Sequence, residues 1–239
     1  MAGVPVTFRD QRERQLVNYD YTDFASGRGI VEFFLGQVAG SNILSQKAFY
    51  ADKINFVGTA TSGTTDTKSV DEDFDAKFEK PVTVEGDALF NIAIGGTGDT
   101  NNWEGEIYAK IIVRKWDGST ETDLITSQGT TFVIENIGQD NVMLLMTATK
   151  ATIPKTSFKI GESLRVSVEI WAKRTSASGS IQPALVADPT GRTINTLQNV
   201  EEWTIGTADR DIDYTTLTSP SQGTAITVSK AQIPFRIDI

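Results

Sequence analysis

The sequence of 239 residues contains no histidine and no cysteine. Without imidazole groups, histidine-based catalytic triads, histidine-ligated metal sites and imidazole acid–base catalysis are excluded. Without thiols, disulfide bonds and thiolate chemistry are excluded as well. A zinc ion would find only carboxylate ligands, which is a rare structural site. From these absences we expect a protein without enzymatic activity, without a required metal ion and without a cofactor.

The sequence also lacks a run rich in lysine or arginine, and its formal net charge is −9 at pH 7. Non-specific binding of nucleic acid needs a basic face, so no nucleic-acid partner is expected. The first residues, MAGVPVTFRDQRER, lack the apolar segment of a signal peptide, and no apolar run approaches the length of a membrane span. We therefore expect a soluble protein made in a cytoplasm, with no membrane partner.

Two long segments of the chain alternate apolar and polar residues with the period of a β-strand that buries one face. Segment 161–174 is the clearer one, and a helix would scatter its aliphatic residues around the circumference. These residues are Leu164, Val166, Val168 and Ile170. Segment 106–116 has the same form, with Ile107, Ala109, Ile111 and Val113 on the predicted core face.

Further segments show the same alternation, whereas no convincing helix longer than a turn or two is present. The loops include the glycine-rich run 95–98, which lacks the Gly-Lys-Ser/Thr of a phosphate-binding loop. The weakly patterned region 175–222 is expected to contain long loops with short strands such as 202–205. We predict an all-β fold, an antiparallel β-sandwich that is jelly-roll-like, over residues 29–239; an up-and-down barrel is the main rival. The other predicted strands are 29–37, 69–81, 82–95, 121–127, 141–153 and 225–239.

Residues 1–28 form the predicted N-terminal arm, which is polar and of mixed charge. One interpretation is a disordered or loosely packed terminus. The other is an arm that docks on its own domain or on a neighbouring copy. The aromatic residues Phe8, Tyr19, Tyr21 and Phe24 favour docking, because a solvated tail does not need them.

Carboxylates are the remaining candidates for chemistry. Asp209, Asp211 and Asp213 alternate as at the start of a calcium loop, which needs hard oxygen ligands. The glycine and the distal glutamate of an EF-hand are missing, so an exposed strand is the favoured interpretation. A glycosidase would need two carboxyl groups facing each other across a cleft, and nothing in the sequence selects a pair.

Two tryptophans, Trp116 and Trp171, fall on the faces opposite the predicted cores of their strands. Three interpretations stay open: a platform for stacking on a sugar, a subunit interface, or cover by loops or the arm. The run from Met143 to Met146 raises the same question. Four consecutive apolar residues cannot all face one core, so at least two need other cover.

Three parts of the chain resemble a diffuse family of virion structural proteins encoded by tailed phages and archaeal viruses. They are the run YDYTDFASGRGIVEFFLG (19–36), the run IVRKWDGSTETDL (112–124), and the block 159–174 followed by ADPTGR (187–192). The resemblance implies a β-sandwich component of the capsid or tail, such as a decoration, vertex, turret, tail or baseplate protein. It carries over no functional residues.

We therefore expect a structural protein of the virion, made in the host cytoplasm and acting by multivalent docking of a homo-oligomer, with a trimer as the first guess. Its other expected partners are the major capsid or tail proteins. The alternative from another class is a carbohydrate-binding or receptor-binding module that uses Trp116 or Trp171, with a surface glycan as its ligand. A hydrolase that works with carboxylates alone is the least favoured.

Overall fold

The computed structural model describes residues 28–53, 55–99, 103–137, 142–187, 189, 203–205, 208–210 and 228–236. Every regular element within these residues is a β-strand. The strands are β1 (Arg28–Val38), β2 (Ser41–Ser45), β3 (Asn55–Val57), β4 (Thr67–Lys77), β5 (Val82–Gly98), β6 (Trp103–Trp116), β7 (Glu121–Gln128), β8 (Phe132–Ile137), β9 (Val142–Phe158), β10 (Ser163–Arg174), β11 (Ile181–Val186), β12 (Trp203–Ile205), β13 (Ala208–Arg210) and β14 (Lys230–Arg236).

Strands β6 and β10 bury the faces that the alternation of their sequences predicts. Pairing is antiparallel, with Val168 opposite Ile111 and Val166 opposite Val113, so the apolar side chains of both strands share one face. All four predicted core residues of β10 have no solvent exposure, and those of β6 are equally buried. These two strands form one wall of the core.

Each of the two layers of the sandwich is built around one long strand, β5 in the first layer and β6 in the second. One edge of β5 pairs along its length with β9, and the other edge pairs with β11 and β14 placed end to end. In the same way β6 pairs with β10 on one edge and with β7 and β8 on the other. The first layer therefore contains β3, β11, β5, β9, β14, β1 and β2, and the second contains β4, β10, β6, β7 and β8.

All twelve of these strands belong to one hydrogen-bonded sheet that folds over between β2 and β4. These two strands meet at a single parallel bridge, Ile43 with Asp75, whereas the other strand pairs are antiparallel. The core fills the space between the layers, and the edge-to-face contact of Phe56 with Phe74, with centroids 5.4 Å apart, spans it. The predicted all-β sandwich is confirmed.

The glycine-rich run 95–98 corrects one prediction, because it is the end of strand β5 and not a loop. Gly96 pairs with Pro183 of β11 on one side and with Met143 of β9 on the other. A Cβ atom at Gly96 would lie 2.8 Å from Met143 Cε and 3.2 Å from Ile181 Cδ1. Glycine is used here because side chains from both neighbouring strands fill the space above the backbone.

Two strands were not expected from the sequence. Strand β11 lies inside the region predicted to contain long loops with short strands, at a position where none was predicted, and all six of its residues are buried. A strand covered on both faces shows no alternation, so periodicity does not reveal it. Strand β8 follows β7 after a short connection and pairs with the first half of β6.

Some predictions fall outside the described residues. The N-terminal arm up to residue 27, with Phe8, Tyr19 and Tyr21, is one of them. Asp211 and Asp213 are others, while Asp209 is described only through the backbone pairing of β13 with Thr204 of β12. In the part of the chain that the structure describes, no helix has the length and apolar character needed to cross a membrane.

Candidate functional site

The outer face of the second layer carries most of the sequence-predicted candidates. We call it the charged face, because ionic side chains of β4, β10, β6 and β7 meet on it in register. Its members are Lys68, Asp71, Asp73, Asp75, Glu106, Tyr108, Lys110, Arg114, Trp116, Glu121, Asp123, Arg165, Ser167, Glu169, Trp171 and Lys173.

Arg165 lies at the centre of one half of the charged face. Its Nε and Nη2 atoms each donate to Asp75 at 2.7 Å, and Nη1 donates to Asp73 at 3.3 Å. Nη1 also contacts Glu121 from β7. The hydrogen bonds with Asp75 and the surrounding carboxylates raise the pKa of Arg165, despite an opposing effect of burial. Its side chain is only 14% exposed, and its positive charge is surrounded by the carboxylates of Asp73, Asp75 and Glu121.

Arg114 extends this network along β6. Its Nε atom donates to Asp123 at 2.7 Å, and Nη1 donates to Ser167 Oγ at 2.8 Å. Burial lowers the pKa of Arg114, but the hydrogen bond with Asp123 and nearby carboxylates outweigh that effect and raise it. Ser167 in turn donates to Asp73, and it is fully buried. The hydroxyl of Ser167 therefore serves the network and is closed to a substrate.

Glu169 anchors the other half of the charged face. It is 6% exposed although it lies on the solvent side of β10. Its carboxylate accepts from Lys68 Nζ at 3.2 Å and from Trp171 Nε1 at 2.8 Å, and it lies 3.8 Å from Lys110 Nζ. A buried carboxylate needs such partners to offset its lost hydration.

Both outward tryptophans are half-buried, and cations of the neighbouring strands cover them. Arg165 Cζ lies 4.7 Å from the ring centroid of Trp116, and Lys110 Nζ lies 5.6 Å from that of Trp171. Tyr108 is parallel to Trp171, with the ring planes 2° apart and the centroids at 6.5 Å. This cation–π cover comes from the sheet itself, which none of the three sequence-based interpretations included.

The apolar run of β9 divides between two faces. Met143 and Leu145 pack against the core, whereas Leu144 and Met146 are half-buried on the outer face of the first layer. Two of the four residues therefore point away from the core, and the prediction that another group covers them stays a prediction. Trp116 and Trp171 lie on the other layer, so the structure does not bring the methionines and the tryptophans together.

The described residues contain no group of three or more acidic side chains arranged to hold a metal ion. Asp73 and Asp75 of β4 and Glu121 and Asp123 of β7 bind arginine instead. The alternation of Asp73 and Asp75 with apolar residues predicts only that they face solvent, and it does not identify Arg114 or Arg165 as their partners. The alternating charges on β4 and β10 were the available signal, but the pairing of these two strands cannot be read from either one.

No protein-family model matches the sequence, and no curated protein is similar to it. The resemblance to virion proteins of tailed phages and archaeal viruses therefore stays a prediction.

The solved structures with a similar backbone arrangement come from different classes of protein. A CocE/NonD family hydrolase from Staphylococcus aureus is 12% identical, with a TM-score of 0.41 over 88% of this chain and 37% of the hydrolase chain. An aminopeptidase from a marine sediment archaeon, Thaumarchaeota archaeon, is 8% identical, with a TM-score of 0.49 over 88% of this chain and 37% of that chain. The structure of infectious bursal disease virus, Gx strain, is 11% identical, with a TM-score of 0.29 over 78% of this chain and 34% of that chain.

The prediction that the chain has no enzymatic activity is contradicted by the hydrolase and the aminopeptidase among these similar structures. The physical reason for the error is that missing histidine and cysteine exclude only imidazole and thiolate groups, while carboxylates, hydroxyls and guanidinium groups remain. The chain spans little more than a third of each enzyme chain. At these identities and TM-scores the likeness does not transfer an activity.

Proposed function

We propose that this chain is a structural protein of a virion that assembles through copies of itself. The observation that supports the proposal is the sequence resemblance along runs 19–36, 112–124, 159–174 and 187–192, together with the all-β sandwich that this resemblance implies. The proposal places the protein in the capsid, at a vertex or in the tail of the particle. It also includes a cyclic homo-oligomer, with a trimer as the first candidate.

The charged face fits a structural role because it is rigid. Strands β4, β10, β6 and β7 are joined by backbone pairing and, on their outer side, by ion pairs in which two arginines are each held by several carboxylates. Networks of this kind fix side-chain geometry better than isolated surface pairs do. A surface with fixed geometry suits repeated docking in a particle, where each contact is weak and their number supplies the affinity.

Negative-stain images of particles made with and without this chain test the proposal. We expect the chain to copurify with particles and to account for a repeated feature that is missing without it. Particles that are identical in both preparations, with the chain only in the soluble fraction, would contradict it.

A glycan array tests the sugar-binding alternative on the same protein, with Trp171→Ala as the control. Lys110 and Tyr108 lie against the ring of Trp171, so a sugar would have to compete with groups already in place. We therefore expect no glycan signal that depends on Trp171. A signal that Trp171→Ala removes would favour the receptor-binding or carbohydrate-binding alternative.

A further inference from the structure

The described part of the N-terminus lies at one end of the sandwich. Arg28 of β1 pairs with Arg236 of β14, and Phe235 of β14 pairs with Val84 near the start of β5. Strand β5 then runs to Gly98 at the opposite end. With a rise of about 3.4 Å per residue, the two ends are roughly 50 Å apart. The chain before β1 therefore joins the sandwich at the end where β5 begins.

The opposite end carries an acidic surface whose charges are not balanced by cations of the described residues. Glu104 at the start of β6 and Glu135 of β8 are both exposed, and their carboxylates form no ion pair or hydrogen bond with any described residue. Glu106 next to them differs, because Lys173 Nζ binds it at 2.9 Å. Val133, opposite Glu106 in the register, is 69% exposed between these acids. We call Glu104, Val133 and Glu135 the acidic edge.

Strand β8 also offers backbone groups at the acidic edge. It pairs with β6 on one side, and no other strand in the described ranges pairs with its second side. An extended peptide can add to such an edge through main-chain hydrogen bonds, while alternate side chains set the specificity. Native proteins normally protect an edge that carries an exposed apolar residue such as Val133. The acidic edge therefore suits an extended segment that is basic and carries an apolar side chain.

Residues 8–14 of this chain have that chemistry. Arg9, Arg12 and Arg14 outnumber Asp10 and Glu13 in the run, and Phe8 precedes them. We propose that this segment of a neighbouring copy adds to the free edge of β8, with its arginines against Glu104 and Glu135 and with Phe8 against Val133. The inference rests on the proposed assembly through copies of the chain and names the contact that drives it.

A neighbouring copy is the better donor because of where the two partners lie. Arg28 belongs to the first layer at one end, and the acidic edge lies on the second layer at the other. Within one copy, the segment would have to cross roughly 50 Å of sandwich and change layers. Copies in head-to-tail contact bring the two ends together directly. Heterologous contacts form a ring when the rotation between neighbouring copies closes, and an open filament when it does not, so the proposed cyclic oligomer requires a closing rotation.

Sedimentation velocity of the full chain and of three variants tests the inference, with circular dichroism to verify the folded state. Deletion of residues 1–24 is expected to convert the oligomer to a monomer. Glu104→Lys combined with Glu135→Lys is expected to raise the dissociation constant about tenfold or more. Thr126→Lys is the control, because Thr126 is exposed on β7 opposite Ile112 and lies at neither end of the sandwich. It should leave the constant unchanged.

Exchanging the charges of the arginine segment and the acidic edge should restore association, which would not happen if the single substitutions acted only by disturbing the fold. The double variant Arg12→Glu, Arg14→Glu should associate more weakly than the wild type, because its segment would face the acidic edge with like charge. Adding Glu104→Lys and Glu135→Lys to that variant should restore association, because the charges are then opposite again. An oligomer that survives deletion of residues 1–24, or an edge variant that matches Thr126→Lys, would overturn the inference and leave the proposed assembly standing. A full chain that is monomeric throughout would overturn both.

Discussion

Arg165 and Asp75 form a two-point ion pair across strands β10 and β4, with both N–O distances at 2.7 Å. A planar guanidinium can present two parallel N–H groups to one carboxylate, which a lysine cannot do. On its other side Arg165 lies over Trp116. One side chain therefore joins β4 to β10 and covers an aromatic ring of β6 on the solvent side of the sheet.

Replacing Arg165 by alanine should lower the free energy of unfolding by about 2–4 kcal/mol, because Asp75 would lose its cation. Asp73 and Glu121 would keep only the longer contacts with Arg114, at 3.5 and 3.6 Å. Lys150→Ala is a suitable control. It removes an ion pair with Asp87 of similar length, 2.6 Å, in which the two side chains are 60% and 52% exposed. That change should cost less than about 1 kcal/mol. Equal urea midpoints for the two variants would show that the network adds no stability.

Gly96→Val tests whether residues 95–98 are strand or loop. In the strand, the new side chain would collide with Met143 and Ile181, and we expect a loss of about 1–3 kcal/mol. Combining it with Met143→Ala should recover part of that loss, giving a coupling energy of about 0.5 kcal/mol or more. Additive effects in chemical denaturation would indicate that Gly96 does not face Met143.

Val168→Asp should prevent folding, since the side chain has no solvent exposure and the charge would find no partner in the core. We expect a loss above about 4 kcal/mol. The control is Thr126→Asp, because Thr126 is an exposed residue of β7. Far-ultraviolet circular dichroism and gel filtration report the outcome. A folded Val168→Asp variant would mean that the two faces of β10 are assigned the wrong way round.

The alternation of Leu164, Val166 and Val168 was sufficient to predict the core face of β10, because one face of this strand is apolar throughout. The opposite face could not be predicted from the same pattern. Glu169 and Ser167 look solvent-exposed in sequence, but they are buried under long side chains of paired strands. The identity of those strands depends on register, which a single sequence does not contain.

Strand β11 shows a second limit of sequence reasoning. Its sequence, IQPALV, has no polar alternation and contains Pro183, which normally argues against a central strand. It is nevertheless paired on both sides, with β3 and β5. The carbonyl oxygen of Pro183 accepts from Gly58 N–H at 2.8 Å. Tertiary packing therefore determines the structure of this segment, although its local β-propensity is low.

Asp117 gives a pH-dependent prediction. Backbone N–H groups of Thr120 and Ser119 donate to its carboxylate at 2.7 and 2.9 Å, and these bonds lower its pKa from the ordinary value of 3.8. An acid whose pKa is lower in the folded state stabilises that state above its ordinary pKa, and the effect disappears as the pH falls through the lowered value. Wild-type protein should therefore be more stable than Asp117→Asn near neutral pH.

The same difference should shrink once the pH drops below 3.8. Urea unfolding of both proteins across this range measures it. A difference that stays constant with pH would mean that the charge of Asp117 does not contribute to the turn.

The proposed assembly of this chain with its own copies is tested by the molar mass of the purified full chain, measured by sedimentation velocity at tens of micromolar. We expect a single closed species whose mass is a whole multiple of 26.0 kDa, with three copies as the first expectation. A single species of 26.0 kDa at every concentration would contradict it.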